Sequence, residues 1–256
     1  MREVKLKGHK VTLYTSIEEL PIVRFHKYNK MMLVDAGIGS DLTAMDGHIE
    51  RVVQYIRQDK RQEAATEMEN LRQNVYMMIQ EMSPRLLSFA CLVKEIDGKD
   101  ADDISDEGLQ KVVDMLADVP VGEMTAQQDA VKKKIDDELT TYFPQVFDDS
   151  RGKEFYDILK QRIRVMLECI TKGDTEERKE EVERLTGDII TYAKPRKFTG
   201  NESTEVSYDR EFDDMCLVIS RELHTEAKRM TVMEYYNAYL FIVKDRKRQK
   251  AQIKGR

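Results

Sequence analysis

A helical hairpin pattern occurs twice in this chain, from Ile49 to Met78 and, 114 residues later, from Ile163 to Tyr192. In the first copy Ile49, Val53 and Ile56 lead through the polar Gln58-Asp59-Lys60 to Met68, Leu71, Val75 and Met78. In the second, Ile163, Leu167 and Ile170 lead through Lys172-Gly173-Asp174 to Val182, Leu185, Ile189 and Tyr192. Both second arms place apolar residues at intervals of 3, 4 and 3, which draws a narrow seam along one side of a helix. Such a seam needs cover, so the pattern predicts that each arm buries it against another helix, giving a scaffold of packed hairpins. The copies share Glu63/Glu177, Glu67/Glu181 and Glu69/Glu183. Any two amphipathic hairpins align by period, however, so duplication and coincidence are both compatible with the spacing. No candidate catalytic group occupies matching places in the two copies.

The 256 residues suffice for one large helical domain or two small ones, and a hydrophobic content of 41% can fill a sizeable core. Nothing approaches the roughly 18 apolar residues of a membrane span, and Met1 to Ser16 is charged throughout, so neither a transmembrane helix nor a signal peptide is expected. Cys91, Cys169 and Cys216 lie far apart on apolar-flanked helical segments without C-x-x-C spacing, which reads as buried thiols in a reducing compartment. The net charge of −6 is unevenly placed: Lys244 to Arg256 carries seven basic residues and one acid, which leaves the body with 35 basic and 47 acidic residues, or −12. A body so charged repels phosphate, and general binding of duplex nucleic acid over its surface is not expected. The tail is different: Lys244, Arg246, Lys247, Arg248, Lys250, Lys254 and Arg256 can meet nucleic acid or an acidic partner, or simply complement a helix C-terminus.

Along the chain, Val4, Leu6, Val11 and Leu13 alternate with polar residues around Gly8-His9, the period and turn chemistry of a small β-hairpin or extended arm over residues 1–15. Such an arm packs on its own helices or adds to a neighbouring subunit. A helical body over 16–194 follows. Pro21 opens a helix that buries Phe25, Met32 and Leu33 and leaves at Gly37-Ile38-Gly39, and Asp41 caps the next. Ser83-Pro84 starts a helix with Leu86, Phe89, Val93 and Ile96 in register, and Ser105 starts another that ends at Pro120 and Gly122. Thr125-x-x-Gln128, Asp174-x-x-Glu177 and Thr231-x-x-Glu234 have the spacing of capping boxes. Residues 195–207, rich in Pro, Gly and polar side chains, form a long loop with Phe198 at its centre. Residues 208–256 make a C-terminal helix pair ending in the basic tail. In its last helix Tyr235, Tyr236, Tyr239 and Leu240 to Val243 are apolar nearly all round, which suits a central core helix or a contact with a partner chain. The fold class expected is all-α, packed helical hairpins with a short N-terminal arm or β-hairpin.

Chemical motifs are few. His9, His26, His48 and His224 are scattered without paired metal-ligand spacing. The acidic stretch Asp97 to Gly108 lacks the Gly and Glu of a calcium loop in either register, and Gly37-Ile38-Gly39 lacks the third Gly and preceding strand of a dinucleotide fingerprint. No P-loop, nucleophile elbow or local Cys/His dyad is present. The reading is therefore non-enzymatic, with no cofactor and no metal. Subunit contacts are expected at Val4, Leu6, Val11, Leu13, Phe198, Tyr235 and Tyr239.

The block from Ser16 to Leu42, with His48-Ile49-Glu50-Arg51 and Asn70-Leu71-Arg72-Gln73-Asn74, resembles a structural protein of the crAss-like tailed phages of gut Bacteroidales, the likeness covering about the first hundred residues. The resemblance is to the rings stacked below the portal in the short tail, or head-to-tail connector. It implies a virion protein assembled in the host cytoplasm, about twelve copies forming a ring around a DNA channel. Its partners would then be copies of itself, neighbouring portal or tail proteins and transiently the packaged DNA, with no membrane. A soluble assembly chaperone or regulatory adaptor shares the same helical, acidic character.

Overall fold

Lys7 and Gly8 both adopt positive φ, +42° and +103°, so the chain reverses between β1 (Arg2–Leu6) and β2 (His9–Leu13) through the two-residue turn that suits twisted strands. The computed structural model describes residues 1–147 and 153–254, with 153 and 250–254 known by backbone alone. Next come α1 (Ile22–Gly37), α2 (Leu42–Arg57), α3 (Arg61–Ile79) and α4 (Pro84–Leu92). A second small hairpin, β3 (Val93–Ile96) and β4 (Lys99–Asp100), precedes α5 (Asp106–Met115) and α6 (Val121–Tyr142). Then follow α7 (Lys153–Lys172), α8 (Glu176–Ile190), α9 (Thr204–Leu223) and α10 (Val232–Lys254). The architecture is helical with a small N-terminal β-hairpin, as the patterning predicts; β3 and β4, which it does not predict, extend that hairpin into a four-stranded sheet.

Where the sequence suggests a continuous body from 16 to 194, the chain instead divides into two compact units, each assembled from separated segments. Unit 1 gathers residues 1–36, 83–147 and 204–254; unit 2 gathers 37–82 and 153–203.

Unit 1 holds the sheet, in the antiparallel order β1-β2-β3-β4. Val93 and Ile96, in helical register by sequence, belong to β3 instead, because α4 stops at Leu92 and Asp97-Gly98 supplies a turn with both φ positive. The Asp97 carboxylate accepts from Lys10 N at 2.8 Å and faces His9 Nδ1 at 2.8 Å, fixing β3 beside β2. The core contains Leu13, Ile17, Leu20, Phe89, Leu109 and Ile135, all nearly inaccessible. Arg24 is buried among them because its guanidinium donates to the carbonyls of Cys91, Val93 and Ala101 at the junction of α4 and the sheet. On α1 the inward face is Ile22, Arg24, Phe25, Tyr28, Met31 and Val34, so Met32 and Leu33 are only half-buried.

Several helix ends are as expected: Asp41, Ser83 and Ser105 cap α2, α4 and α5, and Thr231 and Glu234 exchange reciprocal bonds at the start of α10. Two are not. Thr175 rather than Asp174 caps α8, and α6 begins at Val121, directly after Pro120, so Gly122 and Thr125 lie inside it and Thr125 Oγ1 bonds the Gly122 carbonyl. Helix α9 starts at Thr204, earlier than the loop over 195–207 implies.

Candidate functional site

Unit 2 contains both predicted hairpins, α2 with α3 and α7 with α8, yet its seams are not where the pattern puts them. The interface between α2 and α3 buries His48, Val52 and Tyr55 against Ala64, Glu67, Asn70 and Asn74. His48 Nδ1 lies 2.7 Å from Glu67 Oε1 and its Nε2 lies 2.7 Å from the Ile38 carbonyl, while Arg51 donates to the same Glu67 oxygen. Burial pushes the Glu67 carboxyl up, but the hydrogen bonds from His48 and Arg51 outweigh it and hold the group below the usual carboxylate range. The segment after α8 completes this interior: Tyr55 donates to the Ala193 carbonyl, Asn70 to that of Arg196, and Phe198 packs against Gly37, where a Cβ would stand 2.2 Å from the ring.

Because this polar network takes the inward face, the apolar seam is turned outward. Ile49, Val53, Ile56, Met68 and Val75 are exposed, Ile56 by 64%, which corrects the expectation that they are buried. In an antiparallel helix pair, the residue following each inward position is rotated by about 100° toward the same side on both helices. Ile49, Val53 and Ile56 follow His48, Val52 and Tyr55, and Met68 and Val75 follow Glu67 and Asn74, so the five share one side of the hairpin. In the second hairpin, Leu185 is buried, but Ile163, Leu167 and Ile170 are exposed, Leu167 by 55% and Ile170 by 79%. Contiguous exposed apolar surface of this kind marks a contact with another macromolecule more often than scattered single residues do.

Unit 1 carries a cavity of about 280 Å³ between α1, α9 and α10, walled by Phe25, Tyr208, Phe212, Tyr235, Tyr236 and Tyr239. His26 forms one side. Its ring is stacked between Tyr208 and Phe212, at centroid distances of 4.6 and 4.0 Å, and its Nε2 lies 2.8 Å from Asp209 Oδ1. Lys30 donates to the other Asp209 oxygen at 2.6 Å. Burial lowers the His26 pKa, with Asp209 opposing the shift. The lining suits an apolar or aromatic group; its ionisable members besides the tyrosines are His26 and Glu211.

The residues expected at subunit contacts lie mainly inside the chain's own packing. Val4, Leu6, Val11 and Leu13 are buried in unit 1, because β2 finds a partner in β3 and the hairpin is not a free arm. Phe198 is buried in unit 2, Tyr235 is buried beside the cavity, and Tyr239 is half-buried in its wall. Lys244, Arg246, Lys247 and Arg248 are exposed on α10, Arg246 lying 3.6 Å from Glu222. Lys250 and Lys254 are placed by backbone alone, and Arg256 lies outside the described residues. Cys91 and Cys216 are buried, and burial pushes their thiols up to about 12 and about 11; Cys169 is half-buried. What sequence reasoning missed is the outward face of α2, α3 and α7. The signal for it was present, because Glu67, Asn70 and Asn74 share one helical phase on α3 that a solvent-facing stripe has no need to keep.

Among the described residues no helix is long and apolar enough to cross a membrane, and no group of three or more His, Cys, Asp or Glu side chains is placed to hold a metal ion. Comparison with protein-family models, with curated proteins and with solved structures gives no match.

Proposed function

We propose that this chain is a structural subunit that assembles with copies of itself into a ring in the portal-proximal short tail of a tailed phage, around the DNA channel. The observation that carries the self-assembly is the pair of outward apolar faces on unit 2, Ile49, Val53 and Ile56 on one hairpin and Ile163, Leu167 and Ile170 on the other. Two different sticky faces on one subunit suit a heterologous contact, in which one patch docks on a different patch of the next copy and the series closes as a ring. The virion setting rests on the resemblance of Ser16 to Leu42 and the two short blocks after it. A body at −12 would give such a conduit walls that repel the genome instead of gripping it.

Mass measurement of the purified protein, joined to a search for it in mature particles, tests this reading. The expected result is a closed assembly of about a dozen copies and a stoichiometric band in virions. A soluble chaperone or adaptor would also shield its apolar faces with a partner but would be missing from finished particles, and that outcome would replace the structural reading.

A further inference from the structure

Tyr208, Glu211, Phe212 and Met215 stand on one face of α9, at intervals of 3, 1 and 3, and all four line the cavity of unit 1. An acid thus occupies a place in an otherwise apolar and aromatic stripe. Glu211 is exposed at the cavity mouth and has no ion-pair partner among the described residues, whereas the neighbouring acid Asp209 is held by His26 and Lys30. No Lys or Arg lines the cavity. His26 does not balance the acid either, because burial lowers its pKa and leaves the imidazole neutral at neutral pH. Burial holds the phenols of Tyr208, Tyr235 and Tyr236 above their ordinary value, so these rings stay uncharged.

Aromatic walls alone would take any apolar group, and the carboxylate chooses among them. We propose that this cavity binds the head of a small organic cation, a quaternary ammonium, seated among Tyr208, Phe212, Tyr235, Tyr236 and Tyr239 with Glu211 at its mouth. Ring faces carry the negative side of the aromatic quadrupole and attract a desolvated cation. A quaternary head has no N–H donors, so it leaves none unpaired among these rings, as a primary ammonium would. The walls differ in orientation: Tyr208 and Phe212 lie within 7° and 12° of the His26 ring between them, while Tyr235 and Tyr236 meet at 87°. A flat ligand can stack on one set only; a rounded head meets both. An anion would face Glu211 with no cation in the lining to compensate. The volume of about 280 Å³ is at the small end of ligand sites, which begin near roughly 300 Å³, and admits one such head without a long extension. The inference concerns unit 1 and holds whatever the chain assembles into.

Equilibrium dialysis of the full chain against labelled choline tests the site, with 3,3-dimethylbutan-1-ol, the uncharged carbon isostere of choline, as competitor. Saturable binding of one choline per chain is expected, with the isostere displacing it only at roughly ten times the concentration or more. Glu211→Gln alters an exposed side chain and should weaken choline several-fold while leaving the isostere unaffected, and Tyr239→Leu, which removes one ring, should also weaken choline more than the isostere. Absence of saturable choline binding in the millimolar range would overturn the proposal. Equal competition by the isostere would do so too, since the cavity would then be merely apolar. Choline binding that neither substitution changes would place the cation elsewhere and equally contradict it. None of these outcomes bears on whether copies of the chain form a ring.

Discussion

His48 Nδ1 and Glu67 Oε1 lie 2.7 Å apart at the centre of the first hairpin, with the two side chains only 1% and 2% exposed. An ion-pairing acid at that position explains why unit 2 keeps an apolar stripe on its outside. With His48, Glu67, Asn70 and Asn74 committed to the helix interface, the neighbouring stripe of each helix has no inward place left. Removing one partner strands the other, and Glu67→Ala is expected to destabilise unit 2 by about 3 kcal/mol or more. Urea unfolding followed by circular dichroism measures this. A loss below about 1 kcal/mol would show that the network contributes little.

Gly37 sits against the Phe198 ring with no space for a methyl group. Gly37→Ala is therefore expected to cost about 1–3 kcal/mol. In a chain that already carries Phe198→Ala the same change should cost much less, and the double-mutant cycle reads the coupling directly. Additive effects would mean that the loop following α8 does not pack there.

His9 and His26 should titrate on opposite sides of the ordinary histidine value. The Asp97 carboxylate on His9 raises its pKa, with Asp118 adding to it against a smaller burial effect; burial lowers that of His26. The raised group binds its proton more tightly when folded, so its stabilisation is present below about pH 6.5 and is lost as pH rises through the folded value. The lowered group acts in reverse: its contribution is complete above about pH 6.5 and is lost as pH falls toward the folded value. NMR titration of the imidazole protons is expected to place the His9 midpoint above that of His26, and the opposite order would contradict both environments.

Thiol labelling separates the cysteines. Burial raises the pKa of all three thiols, but Cys169 is half-buried whereas Cys91 and Cys216 are buried. In the native protein Cys169 should react first and the other two only after unfolding. Equal rates for all three would show that unit 1 opens readily.

The helical class, both hairpins and most helix starts could be read from the sequence because they depend on local chemistry: Asp41, Ser83, Ser105 and Thr231 each satisfy backbone N–H groups within a turn of themselves. Val93 and Ile96 could not, since a four-residue strand after a helix keeps the helical phase of its apolar residues, and only pairing with β2 across some 80 residues decides the matter. The division into two units was hidden for the same reason, each being assembled from distant segments. The outward face was misread through a rule that fails here. Apolar periodicity gives the direction of burial only when the alternative stripe is solvated, and on α3 that stripe, Glu67, Asn70 and Asn74, is polar, hydrogen-bonded and buried, facing His48, Val52 and Tyr55 of α2.

Substituting Ile56→Lys or Ile170→Lys places a charge at the most exposed member of an outward triplet without disturbing the interior of unit 2, where neither side chain resides. Either change is expected to leave the unfolding midpoint of the isolated subunit nearly unchanged and to weaken association tenfold or more. A large loss of thermal stability instead would mean that these side chains pack within the chain.

Single-particle mass measurement of the purified chain over a dilution series is the most direct test of the claim that copies of this protein cover its apolar faces. The account predicts a discrete assembly at a multiple of 29.9 kDa that dissociates on dilution. A single 29.9 kDa species at every concentration would contradict it.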